Sequence, residues 1–154
     1  MAKKSYNEKL QHSGDLPKVE VITDPRQAER YKSTTLLIAA PLEYDEIMKS
    51  IPAGRLITID RIMAHLARRH GAGATCPMTA GIFVNIAAHA SEERCGLDET
   101  PYWRALKKGG ELSEKYPGGV EGQRQRLEQE GHSVVQRGKR FFVAGYEDIL
   151  FALE

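Results

Sequence analysis

The chain has 154 residues and a net charge of +1, with 22 Lys and Arg against 21 Asp and Glu. That length suits one domain with an elaborated arm and excludes two large ones, while 41% hydrophobic and 28% charged residues exclude a disordered or collagen-like chain. The balanced charge gives no global electrostatic case for nucleic acid, so any basic face must be local. No stretch approaches the roughly 20 apolar residues of a membrane helix. The segment Met1 to Lys9 is polar where a signal peptide would be apolar, so no membrane partner is expected and the expected location is cytoplasmic. Cys76 and Cys95 are too few for a disulfide framework. Neither they nor the histidines have the spacing of a zinc site, His65 and His70 falling on different faces of one helix, so no metal and no cofactor is expected.

Residues 1 to 15 read as a flexible arm, followed by a short strand over Lys18 to Thr23 whose alternation ends at the Asp24-Pro25 turn. An apolar run from Thr35 to Ala40 stops at Pro41. Tyr44, Ile47, Met48 and Ile51 then recur at the spacing of an amphipathic helix, with Pro41 where a first turn tolerates it. Pro52-Ala53-Gly54 ends that helix. A second follows, capped by Thr58, with Ile59, Ile62, Met63 and Leu66 on its apolar face and Gly71 at its end. A third begins at Cys76-Pro77 and continues through Glu93; its interior Gly81 costs about 1 kcal/mol unless something approaches closely there. Three short helices with tight joints predict a helix-turn-helix core.

Beyond Gly96 the pattern changes. Tyr102 to Leu106 is strand-like, Lys107 to Gly119 is a charged, glycine-rich loop, and Val120 to Glu130 is a helix stopped by Gly131. Ser133 to Gln136 and Arg140 to Val143 flank a turn as a hairpin, and Tyr146 to Leu153 is expected to close the chain as a helix. The predicted fold is α+β: a winged helix-like helix-turn-helix core with a β-hairpin wing over residues 41–154, preceded by an N-terminal extension over residues 1–40.

Several segments, in order and spacing, resemble the alkylguanine DNA alkyltransferases and their non-enzymatic alkyltransferase-like relatives. Ile51-Pro52-Ala53-Gly54-Arg55-Leu56 resembles the joint before that family's helix-turn-helix, Thr58-Ile59-Asp60-Arg61-Ile62 its Thr-Tyr-Gly-x-Ile, and Pro101-Tyr102-Trp103-Arg104 its Pro-Cys-His-Arg. Gly110-Glu111-Leu112-Ser113, Tyr116-Pro117-Gly118-Gly119 and the segment from Gln123 through Arg126-Leu127-Glu128 to Glu130-Gly131 resemble the glycine loop and closing helix. The resemblance covers roughly residues 41 to 136. It implies a helix-turn-helix entering the minor groove, a wedge holding the gap, and an alkylated base flipped into a pocket.

It also implies an acceptor cysteine, and here the chain departs. Tyr102 and Trp103 stand where the family has Cys and His, so neither thiolate nor activating base is present and suicide alkyl transfer at this site is not expected. The resemblance places Met78 at the wedge position beside Gly81, and leaves Arg104 and Glu130 of the old network to hold the closing helix. The expected lesion pocket is Tyr102, Trp103, Arg104, Met78, Gly81 and Glu130. Strand alternation would point Tyr102 and Trp103 to opposite faces, with Tyr102 stacking on a base and Trp103 in the core. Phosphates of double-stranded DNA would be met by Arg61, Arg68, Arg69, Lys107, Lys108 and Lys115.

Against this stands the third helix, which carries no Lys or Arg from Met78 to Ala90. The alternatives are therefore a protein-interaction module that keeps the fold without DNA recognition, and an enzyme using Cys76, a thiol at a helix N-terminus. A DNA-binding member would flag lesions to a repair protein.

Overall fold

The computed structural model describes residues 4–153. The fold is α+β, and its helix-turn-helix consists of α4 (Ile59–Arg69), a turn over 70–76 and α5 (Pro77–Glu93). Before it come α1 (Tyr6–Gln11), β1 (Lys18–Val21), α2 (Pro25–Tyr31), β2 (Thr35–Ile38), α3 (Pro41–Ser50) and the two-residue strand β3 (Ile57–Thr58). Within the turn lies β4 (Ala74–Thr75); after α5 follow β5 (Ala105–Leu106), α6 (Gly119–Gln129) and the hairpin β6 (Val134–Arg137) with β7 (Arg140–Val143).

The core lies between α3, α4 and α5 and is closed by the segment after α5. Tyr44, Met48, Ile51, Leu56, Ile62, Leu66, Leu106, Leu112 and Leu127 are essentially inaccessible to solvent. Of the periodic positions on α4, Ile62 and Leu66 are fully buried while Ile59 and Met63 are half-buried against them. Thr58 stands at the cap position without a capping bond from its hydroxyl, and its backbone pairs in β3 with β5, Ile57 opposite Ala105 and Thr58 opposite Leu106.

The extension departs from the sequence expectation most. The predicted flexible arm contains α1 instead, with a capping box between Ser5 and Glu8 and Leu10 buried; residues 1–3 of that arm lie outside the described residues. Glu93 of α5 accepts the Tyr6 and Asn7 backbone N–H groups at 2.9 and 3.0 Å, Asn7 Nδ2 donates to Ala90 O at 2.9 Å, and Tyr6 stacks on His89 with centroids 4.8 Å apart. The Ser5–Glu8 box is a local helix-start signal, while the docking on α5 comes from polar groups eighty residues away, which local pattern cannot reveal. Further on, β1 and β2 pair antiparallel, and β2 continues parallel to β4, Leu36 opposite Ala74 and Leu37 opposite Thr75. The extension is thus joined by main-chain hydrogen bonds to the helix-turn-helix turn. Gly73 is needed there: a Cβ would stand 2.7 Å from Ser33 Cβ and closer still to its hydroxyl, which is fixed by bonds to Thr35.

Two further expectations are corrected. Tyr102–Arg104 is a 3₁₀ turn rather than strand, since Arg104 N–H donates to Pro101 O and Ala105 N–H to Tyr102 O; only Ala105 and Leu106 are extended. Near the C-terminus, a 3₁₀ turn over Tyr146–Ile149 replaces the predicted helix, and Leu150 then pairs with Leu56. The apolar run Ile149 to Leu153 covers the start of the core as extended chain, which a continuous apolar stretch allows as readily as a helix.

Candidate nucleic-acid interface

The two ends of α5 hold the sequence-predicted residues in two separate groups. At its C-terminal end, the segment after α5 returns and is pinned from several sides. Thr100 N–H donates to Ser91 Oγ at 2.9 Å and Thr100 Oγ1 to the buried Asp45 Oδ1 at 2.6 Å. This fixes the Pro101-Tyr102-Trp103-Arg104 turn against α3 and α5.

Both aromatic rings of that turn are buried, Tyr102 at 3% and Trp103 at 4% exposure, and they meet edge to face with centroids 5.3 Å apart. Alternation does not separate them, because the residues are in a turn. The Tyr102 hydroxyl donates to Glu92 Oε1 at 2.9 Å, and its ring also meets Tyr116. Burial first, and then the Glu92 carboxylate, hold this phenol well above the ordinary tyrosine range, so it is a poor nucleophile at neutral pH. Trp103 lies under Arg126, whose guanidinium is 4.5 Å from the ring centroid, and beside Arg104 at 5.4 Å. Such cation–π contacts tie α6 to the turn.

Arg104 makes the strongest polar contact here. Its Nε donates to both Glu130 oxygens at 3.0 and 3.1 Å, its Nη2 to Oε2 at 2.6 Å, and its Nη1 to Ile51 O at 2.7 Å. Burial opposes ionisation of Glu130, but the Arg104 bonds and charge outweigh it and hold the carboxyl below its usual range. Burial pushes the neighbouring His132 below an ordinary imidazole, and its Nε2 has no hydrogen-bond partner among the described residues. Glu92 and His132 were not assigned to this cluster from the sequence, and Arg126 was read there as part of the closing-helix segment. Each joins the cluster through tertiary packing, without a spacing signal.

At the other end of α5 the side chains are open. Met78 is 71% exposed and Ile82, one helical turn on, 49% exposed, while Gly81 between them leaves free space where a Cβ would stand. The C-terminal half is core: Val84, Ala87, Ala88 and Ala90 are buried, and α1 lies over it. Fourteen residues at about 1.5 Å each put Met78 roughly 21 Å along the axis from Glu92, so the structure brings Tyr102, Trp103, Arg104 and Glu130 together and leaves Met78 and Gly81 apart from them.

The cations divide as well. On α4, Arg61, Ala64 and Arg68 share one exposed stripe, and Arg61 and Arg68 have no ion-pair partner among the described residues. They line a cleft of about 300 Å³ with Ile57 and the C-terminal Phe151 and Leu153. Arg69 points elsewhere, 3.7 Å from Glu43 and 3.2 Å from His65 Nε2. Burial first, and then Arg69 and Arg68, depress the His65 imidazole. In the loop after β5, Lys107 stands between Glu111 at 3.8 Å and Glu114 at 3.7 Å, and Glu111 also receives a bidentate pair from Arg140. Lys108 and Lys115 are exposed without an ion-pair partner among the described residues. Cys76 is half-buried at the N-cap of α5, its N–H bonded to Leu37 O at 2.8 Å. Among the described residues no helix is long and apolar enough to cross a membrane, and no three His, Cys, Asp or Glu side chains gather as a metal site.

No protein-family model and no curated protein matches the chain. Solved structures do match its fold. The Atl1 protein of S. pombe, in complex with damaged DNA containing O6-carboxymethylguanine, gives a TM-score of 0.52 at 19% identity, over 73% of this chain and 94% of that one. A structure of S. pombe ATL in complex with DNA gives 0.53 at 21% identity over the same shares.

Proposed function

With the fold of an alkyltransferase-like protein as premise, we propose that this chain binds double-stranded DNA through the open end of its helix-turn-helix, prefers duplexes carrying an alkylated guanine, and transfers no alkyl group. The observation that carries the reading is the pairing of that fold, which in Atl1 is seen with damaged DNA, with an exposed arginine stripe on the first helix of the motif. In helix-turn-helix proteins the second helix enters a groove and the first crosses the phosphate backbone, which is where Arg61 and Arg68 would act. The missing chemistry follows from Tyr102: a sealed phenol bonded to a carboxylate is no acceptor for an alkyl group.

Base flipping is the finer part of the proposal. Tyr102 offers an aromatic face, but a base would reach it only once the Tyr102–Glu92 bond and the Arg126 cover over Trp103 open. Trp103, the chain's one tryptophan, reports on that opening. Titration with alkylguanine duplex should change its fluorescence saturably and more than plain duplex does. Tyr102→Ala should weaken lesion binding by about 5-fold to 150-fold, the loss of about 1 to 3 kcal/mol of stacking. Equal affinities for both duplexes would remove lesion recognition.

The uncharged, apolar start of α5 favours a second reading, a protein-interaction module with Met78 and Ile82 at the contact, by which a repair protein would be met. Duplex binding that fails at low salt while the fold is intact would select it.

A further inference from the structure

A second cleft, of about 430 Å³, lies on the other side of the α4 stripe. Its far wall is the extension: Arg30 and Tyr31 at the end of α2 face Met63 and Arg68 of α4, with Asp60 at one end and Pro77, the first residue of α5, also in the lining. Arg68 and Ala64 line this cleft and the 300 Å³ cleft alike, so the stripe is a ridge between two grooves, low at Ala64 and cationic at Arg68. Arg30 is exposed, has no ion-pair partner among the described residues, and rests on the Tyr31 ring with 5.8 Å between guanidinium and centroid. Asp60 is the acid in the lining and is likewise exposed.

The position of α2 is fixed by the chain on its C-terminal side. Lys32 caps it in the left-handed region, with its N–H on Ala28 O and Glu29 O; β2 then pairs with β4 inside the helix-turn-helix turn, and Gly73 N–H donates to Thr35 Oγ1 at 2.9 Å. Arg30 therefore stands at the end of α2 that leads into the strand paired inside the helix-turn-helix turn. A duplex whose groove receives that start must pass a phosphate backbone along the α4 stripe. Arginine on both sides of such a cleft suits the oxygens of a phosphodiester, which the planar guanidinium binds in a fork.

We propose that the extension is a second DNA-contacting element, in which Arg30 and Arg68 together hold a backbone phosphate beside the groove entered by α5. This rests on the DNA-binding reading above and gives residues 18–38 a role that the helix-turn-helix alone lacks. The contact is to the backbone, so it strengthens binding to plain and alkylated duplex equally.

The test uses the full chain and a plain duplex, with affinity followed by fluorescence anisotropy over a range of salt. Arg30→Ala should lower affinity several-fold and make the slope of log affinity against log salt shallower by about one unit, as loss of one phosphate contact requires. Arg30→Lys should recover the slope. Because Arg30 is exposed, thermal unfolding of both variants should match the parent. A parent that binds with steep salt dependence and an Arg30→Ala variant with the same affinity and slope would overturn the role of the extension and leave the DNA-binding reading standing. A parent that binds no duplex at low salt would overturn both.

Discussion

The two ends of α5 differ in what their side chains have left to give. At the C-terminal end the aromatic and arginine groups of the Tyr102–Arg104 turn are engaged internally: Tyr102 by Glu92, Arg104 by Glu130 and Ile51 O, and Trp103 by the guanidinium groups of Arg104 and Arg126. At the N-terminal end, Met78, Ile82, Arg61, Arg68 and Arg30 face solvent, and none of the three arginines has an ion-pair partner among the described residues. The Tyr102–Arg104 turn is a joint between α3, α5 and α6. The exposed side chains lie at the other end of the same helix.

If that contrast holds, the largest stability effect belongs to the joint. Arg104→Ala should cost about 3 kcal/mol in urea unfolding, because it leaves Glu130 mostly buried and unpaired and frees Ile51 O. A pH series sharpens the point. Glu130 has a folded pKa below its unfolded value of about 4.5, so its contribution is complete above that value and is lost as pH falls through the folded pKa. The parent should therefore lose stability below pH about 4.5, and an Arg104→Met variant should lose less over the same range.

At the open end the ranking reverses. Replacing Arg61 and Arg68 together with Ala should leave the unfolding midpoint nearly unchanged, since both are exposed. DNA affinity should fall about tenfold, equivalent to about 1.4 kcal/mol, and the salt slope should become shallower by about two units. A large loss of stability with no change in slope would merge the two ends into one structural cluster.

The smallest effect is expected at Gly81. A Cβ there meets nothing within 4 Å, so Gly81→Ala should stabilise the chain by about 0.5 to 1 kcal/mol. The same methyl would stand on the open stretch between Met78 and Ile82, so duplex binding should weaken slightly. Stabilisation with unaltered binding would show that this stretch of α5 does not approach a groove closely.

How much of this could be read from the sequence depends on the range of the interactions. The helices α3, α4 and α5 were legible because periodic apolar residues and Pro at the first turn of α3 and α5 are local signals. The hairpin was legible from its turn residues, and the pairing of Val134 to Arg137 with Arg140 to Val143 follows. The helix α1 carried a local signal in its Ser5-x-x-Glu8 box, but its docking was illegible because its partners are Ala90 and Glu93, and the parallel joint between β2 and β4 because the two residues of β4 leave no alternation to see. The motif resemblance singled out Tyr102 to Arg104 and Glu130, which the fold brings together. It could not show that Glu92 and Arg126 close over the aromatic pair, nor that Lys107 is held between two carboxylates.

The most direct test of binding without chemistry follows the alkyl group itself. The full chain is incubated with duplex DNA labelled on an O6-alkylguanine, the native complex is isolated, and it is then denatured. The account predicts that label migrates with protein in the native complex and returns entirely to the DNA on denaturation. Absence of a native complex would contradict DNA binding, and label left on the protein, at Cys76 or at Tyr102, would contradict the absence of transfer.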